Sequence, residues 1–228
     1  MEKEWDFARV RRELRNGNRV LMFVRHSERP HIRKDDPTFG DMLPLTENGF
    51  RMSVEFGEKL RGATDDVQFL ASPLRRTVMT AEGIAQGMEI ADADIPTDER
   101  IGNSSAFIAD VQEVWRLFSD GDFFNKMIRY TNDGEQSGFA PIGPAADAFE
   151  NHALSQFKGK LGIFTTHDVY LVSYLRARGV VTDWSENNWT RFLDAAVISI
   201  SPDGRREYAF FRAGLSELVS GVDSGAKV

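Results

Sequence analysis

Three short apolar runs constrain this chain most: Val20 to Val24, the stretch VQFLA at 67–71, and LGIF at 161–164. Each breaks off abruptly, at Arg25-His26, at Ser72-Pro73-Leu74-Arg75-Arg76, and at Thr166-His167-Asp168 respectively. Runs of this length with no polar alternation suit strands buried on both faces, and each is followed by a helical pattern. PLTENGFRMSVEFGEKL offers Thr46 as an N-cap, LRRTVMTAEGIAQGM starts just after Pro73, and VYLVSYLRARG follows the third run. Strands alternating with helices predict an α/β fold, three-layer α/β/α with a mainly parallel sheet. In such sheets ligands bind beyond the carboxyl ends of the strands, so the polar tips of the three runs should meet at one site.

The remaining chain is read around that core. Trp5 to Leu14 carries Phe7, Val10 and Leu14 at helical spacing, and AAVISISPDGRREYAFFR reads as two strands joined by a Pro-Asp-Gly turn. From about 102 to 154 no strand interrupts the helical stretches SAFIADVQEVWRLF and DFFNKMIRY or the glycine- and proline-rich GEQSGFAPIGPA. The expectation is one domain over 1–228 with a helical insert at about 102–154 hanging from one sheet edge and capping the site. The insert's aromatic residues Phe107, Trp115, Phe118, Phe123, Phe124 and Tyr130 are expected to form its own core rather than a pocket.

Composition narrows the partners. A formal net charge of -7 argues against nucleic acid, which needs a basic face, and the absence of cysteine removes thiol nucleophiles and thiolate metal sites. The basic residues Arg11, Arg12 and Arg15 read as a solvated helix face. No segment approaches the roughly 20 apolar residues of a membrane span. The charged start MEKEWDFARVRRELRNGNRV is unlike a secretory signal, so a cytoplasmic location is expected. Oligomeric state has no sequence signal.

Two histidines, several arginines and an aspartate at strand tips suit phosphoryl transfer, which depends on positioning and on stabilising the non-bridging oxygens. Arginine grips two such oxygens with one planar fork. A histidine among arginines stays neutral near pH 7 and can attack phosphorus, which makes His26 the candidate nucleophile. Its other ring nitrogen then needs a fixed acceptor, commonly a backbone carbonyl. Asp168 is the candidate proton donor to the departing oxygen, and can also act as a helix N-cap; His167 would hydrogen-bond the transferring oxygens.

These motifs resemble the histidine phosphatase superfamily, also called phosphoglycerate-mutase-like. RHSERP is similar to its Arg-His-Gly signature, PLTENGFRMSVEFGEKL to its Leu-Thr-x-x-Gly helix, SPLRRTVMTAEGIA to its second arginine block, and FTTHD to its second histidine strand. The resemblance implies a phosphohistidine mechanism on His26, with Arg25, Arg76 and His167 in the phosphate pocket and no metal or organic cofactor. Arg29 and His167-Asp168 resemble the acid-phosphatase branch, whose signature includes a third arginine and a His-Asp acid motif, while Arg-His-x-Glu at 25–28 resembles the mutase branch; Arg29 is expected to bind phosphate, with a surface charge beside Glu28 as the alternative. Ser27 stands where the family usually has glycine. The donor expected is Asp168, with Glu99 and Glu28 as alternatives. The function expected is hydrolysis of a small phosphomonoester; the alternatives are a phosphomutase and a non-catalytic phospho-ligand module. A zinc site using His26, His31 and His167 with Asp35 or Asp36 is disfavoured, because three arginines would repel the cation.

Overall fold

The structure, a computed structural model, describes residues 4–33, 36, 38, 40–119 and 122–215. In chain order the elements are β1 (Glu4–Trp5), α1 (Phe7–Arg15), β2 (Arg19–Arg25), α2 (Glu47–Leu60), β3 (Val67–Ala71), α3 (Arg75–Gly87), a 3-10 turn (Glu99–Ile101), α4 (Val111–Ser119), α5 (Phe123–Asp133), α6 (Ile142–Gln156), β4 (Leu161–Thr166), α7 (Asp168–Ala177), β5 (Ala195–Ile200) and β6 (Arg206–Phe211). The strands form one sheet in the order β1-β6-β5-β2-β4-β3. It is mixed α/β: β2, β4 and β3 are mutually parallel and β1 is parallel to β6, while β5 runs antiparallel to both its neighbours.

The apolar runs are buried on both sides because strand side chains alternate between faces. Val20, Met22 and Val24 of β2 join Ile163, Phe69 and Val197 beneath α1, α2 and α3, through Val10, Phe56 and Ile84. Leu21 and Phe23 face the other way, into a cluster with Phe164, Phe149 of α6 and Tyr174 of α7. That cluster also takes in Phe107, Leu117, Met127 and Tyr130. The insert therefore lies against one face of the sheet instead of hanging from its edge. Its aromatic residues Phe107 and Tyr130 are fully buried, as core residues are; the side chains of Phe118 and Phe123 lie outside the described residues.

Thr46 caps α2 as its position predicts, its hydroxyl accepting from Gly49 N at 2.9 Å. Three boundaries differ from the sequence reading. Trp5 belongs to β1, because Asp6 is extended and accepts from Arg9 N at 2.8 Å, so α1 starts at Phe7. Residues 105–110 are irregular and α4 starts at Val111, with Asp110 Oδ1 accepting from Gln112 N and Glu113 N. The glycine- and proline-rich stretch ends in α6, whose first turn contains Pro144; the first-turn N–H groups of a helix have no partner within it, so proline fits there.

Candidate active site

Register brings the strand tips together. Arg25 lies opposite Thr166, so His26 and His167 leave the sheet side by side, with ring centroids 5.4 Å apart. Ala71 pairs with Thr165, which sets Ser72 beside the same tips; Ser72 N donates to Thr165 O at 2.9 Å. The antiparallel β5 enters at this end too, Ala195 opposite Val24, so the segment ahead of it passes over the site. All four central site residues are buried: Arg25 is 6% exposed, His26 4%, Arg76 7% and His167 8%.

His26 Nδ1 lies 2.8 Å from the Ser27 carbonyl. A carbonyl only accepts, so Nδ1 carries the proton and Nε2 is left with its lone pair, the tautomer a nucleophile needs. The segment after His26 is clamped from α2 and α3. Ser27 N donates to Thr80 Oγ1 at 3.0 Å and Thr46 N to Glu28 O at 3.0 Å. Gly49 comes so close to the Glu28 carbonyl that a Cβ would collide with it, which accounts for the glycine of the Leu-Thr-x-x-Gly stretch. Ser27 fits fully buried, its hydroxyl without a hydrogen-bond partner among the described residues.

The cations are anchored individually. Arg25 Nη1 donates to Thr190 O at 2.6 Å, Nη2 lies 3.2 Å from Asp168 Oδ2, and the guanidinium stacks over Phe192 at 4.7 Å. Arg76 Nη1 donates to Gly40 O at 2.7 Å; burial, and after it the proximity of Arg29, draw its ionisation down to about 10, so it remains charged at neutral pH. Arg29 donates to Pro30 O at 2.8 Å and is close enough to lower the ionisation of both histidines. His167 Nε2 lies 3.0 Å from Ser72 Oγ, which also meets Thr77 Oγ1 at 2.9 Å. Tyr170 meets the His167 ring edge-on at 6.0 Å.

Asp168 opens α7. Its Oδ1 accepts from Val169 N at 2.9 Å, and its Oδ2 accepts from Trp189 Nε1 at 3.3 Å besides facing Arg25. Burial pushes the carboxyl upward, but Arg25 and the indole N–H outweigh it and hold Asp168 below the usual carboxylate range. Of the alternative donors, Glu28 has both oxygens engaged, by Thr46 Oγ1 at 2.5 Å and Asn48 Nδ2 at 3.0 Å, in securing the start of α2. Glu99 is exposed in the 3-10 turn. His152 is mostly buried and pairs with Asp98 at 2.7 Å. Asp35 lies outside the described residues, and among those described no three His, Asp or Glu are grouped to hold a metal ion.

Both histidines are held well below the ordinary imidazole value of 6.5. For His26 the cause is burial, then Arg76, His167, Arg25 and Arg29; for His167 it is burial and Arg76, partly opposed by Asp168. The folded protein thus binds fewer protons than the unfolded chain below about pH 6.5, and stability must fall as pH drops through that value. Each histidine adds a slope of up to about 1.4 kcal/mol per pH unit. Urea unfolding from pH 7.5 to 5 should show this loss, and a His26→Asn/His167→Asn variant should show a flatter profile; parallel profiles would mean that the imidazoles are not desolvated.

Ser72, Thr190, Phe192 and Trp189 complete the site. Ser72 was readable as a strand tip. The other three reach the site only because β5 is antiparallel, and no local pattern marks them.

One end of the sheet of this mixed α/β protein thus gathers two histidines, buried arginines and a carboxylate. Residues 21–103 match the model of the histidine phosphatase superfamily (branch 1), the family that the motifs resemble. Solved structures share the fold. Mycobacterial glucosyl-3-phosphoglycerate phosphatase is 15% identical, with TM-score 0.55 over 86% of this chain and 99% of that one. Phosphoglycerate mutase from Bacillus anthracis is 13% identical, with TM-score 0.53 over 86% and 94%. Phosphoserine phosphatase from Entamoeba histolytica is 16% identical, with TM-score 0.50 over 84% and 95%. No curated protein matches the sequence.

Proposed function

We propose that this protein is a phosphatase that hydrolyses a small phosphomonoester through a phosphohistidine on His26. The observation that carries this reading is the fixed tautomer: the Ser27 carbonyl holds the Nδ1 proton of a buried neutral imidazole that lies beside His167. The match of residues 21–103 to the histidine phosphatase superfamily supports it.

In the first step His26 Nε2 attacks phosphorus, the N–P bond forms and the P–O bond to the leaving group breaks. Arg25, Arg76 and His167 stabilise the three non-bridging oxygens, with Arg29 adding positive potential. The departing oxygen takes a proton from Asp168. A bound phosphoryl group supplies the conditions for that donation: its oxygens compete for Arg25, removing the interaction that keeps Asp168 ionised, and their own charge favours the acid form. In the second step water attacks phosphorus, gives its proton to Asp168 and releases His26 and inorganic phosphate. No step calls on a metal ion, and activity is expected to survive chelators.

This division of labour predicts a leaving-group dependence. Asp168→Asn should lower kcat about 10²- to 10³-fold on an alkyl phosphate, while an aryl phosphate, whose phenolate departs without help, loses about 10-fold or less. Steady-state rates on the two substrates decide the matter. Equal losses would move the donor elsewhere, Glu99 being the next residue to replace. Rapid quench into alkaline detergent with radiolabelled substrate should trap a phosphoprotein in this variant that is stable to alkali and lost in acid, and a labelled carboxylate or serine in its place would refute the histidine intermediate.

A further inference from the structure

The segment between α7 and β5 does more than connect them. In Trp189-Thr190 two consecutive residues grip both members of the Arg25–Asp168 pair: the Trp189 indole donates to Asp168 Oδ2, and the Thr190 carbonyl accepts from Arg25 Nη1. The indole is itself wedged in place. It is 7% exposed, its ring meets Phe124 of α5 edge-on at 4.9 Å and Trp184 at 5.7 Å, and its carbonyl accepts from Arg212, which is tied to Asp194 at 2.8 Å. A rigid donor held by the insert on one side and by the sheet on the other is aimed at one carboxylate oxygen.

We propose that Trp189 is a positioning residue for the acid–base step, holding the Asp168 carboxyl toward the pocket when a phosphoryl group draws Arg25 away. The inference rests on the phosphatase reading and on Asp168 as the donor. Two donors share Oδ2 in the free protein. Once phosphate oxygens engage Arg25, the indole remains as the side-chain donor to that atom, and without it the carboxyl is left with the Val169 N–H on Oδ1 as its restraint against rotation about the Cβ–Cγ bond. Its ionisation is set by burial, which raises it, and by Arg25 at the tip of β2, the Trp189 indole, His167 and the Val169 N–H, which lower it; Arg76 on α3 and Tyr170 on α7 also lie within its electrostatic reach. Trp189 is an uncharged donor, so its loss alters orientation and proton affinity without altering the net charge of the site.

The test compares Trp189→Phe, which keeps an aromatic ring, though a smaller one, and removes the N–H, with Trp184→Phe, which makes the same change where the indole N–H serves the Val172 carbonyl at 3.0 Å instead. Trp189→Phe should lower the alkyl-to-aryl phosphate rate ratio about 10-fold and move the Asp168 limb of the kcat/KM profile upward by on the order of one pH unit, because the ionised form has lost a donor. Trp184→Phe should cost thermal stability and leave both readouts unmoved. A second measurement needs no variant at 189: in 15N-labelled protein the Trp189 indole resonance should titrate with Asp168 and cease to do so in Asp168→Asn. An active wild type, an impaired Asp168→Asn and a Trp189→Phe that matches wild type would overturn the role of Trp189 alone. So would a Trp184→Phe that shifts the profile equally. A wild type that neither hydrolyses phosphomonoesters nor binds inorganic phosphate would instead overturn the phosphatase reading, and this inference with it.

Discussion

His26→Ala should abolish phosphomonoester hydrolysis, with kcat falling by about 10⁴-fold or more, because without the imidazole no covalent route exists and only positioning by the arginines remains. The ring packs against His167 and against Phe192, whose centroid lies 5.8 Å away, so its deletion leaves a small cavity in a buried layer. The backbone of residue 26 is held independently of the side chain, its N–H donating to Thr166 O at 2.9 Å. The variant should therefore fold, with a stability loss of about 1–3 kcal/mol. Circular dichroism and urea unfolding separate the two effects, and His26→Asn provides a better-filled comparison. Hydrolysis at more than a percent of the wild-type rate by a folded His26→Ala protein would falsify the nucleophile assignment.

Arg76→Ala should lower kcat/KM by about 10³-fold, comparable to losing a fixed donor of an oxyanion hole together with a full charge. This arginine is locked by the Gly40 carbonyl and lies within electrostatic reach of both histidines, for each of which it is the leading cause of the lowered ionisation after burial. A second signature follows from that. Removing Arg76 makes both imidazoles easier to protonate, so the acid limb of the pH–rate profile should move upward. Arg76→Lys should restore the position of the limb better than the rate, since an ammonium supplies charge without the fork. The experiment is a pH series of kcat/KM for the three proteins on one aryl phosphate. An unmoved limb with a reduced rate would show that Arg76 contacts substrate but not the histidine field.

Much of the site could be read along the chain because its parts sit at strand ends. Arg25-His26, Arg76 and His167-Asp168 each follow an apolar run, and parallel neighbours in register necessarily place such tips at one edge. The Thr46 cap was equally readable, since a threonine ahead of an amphipathic stretch has a local reason to stop the helix. Boundaries set by tertiary contact were not: Trp5 completes a helical pattern yet pairs with Phe211 across some two hundred residues. Phe107 and Tyr130 likewise could not be assigned a side until Phe149 and the face of the sheet were seen to enclose them.

What the sequence by itself determined is the chemistry available: which side chains stand at the strand tips, that arginines surround a histidine, and that strands alternate with helices. Those features are local, fixed by burial period and capping over a few residues. Only the tertiary structure decided how that chemistry is tuned. The antiparallel insertion of β5 between β2 and β6 carries Trp189, Thr190 and Phe192 onto Arg25 and Asp168, and the α2 and α3 packing presses Gly49 and Thr80 against the backbone after His26. Ionisation and tautomer depend on burial and on the few atoms within hydrogen-bonding range. Those atoms come from residues far apart in the chain, so no stretch of sequence contains them.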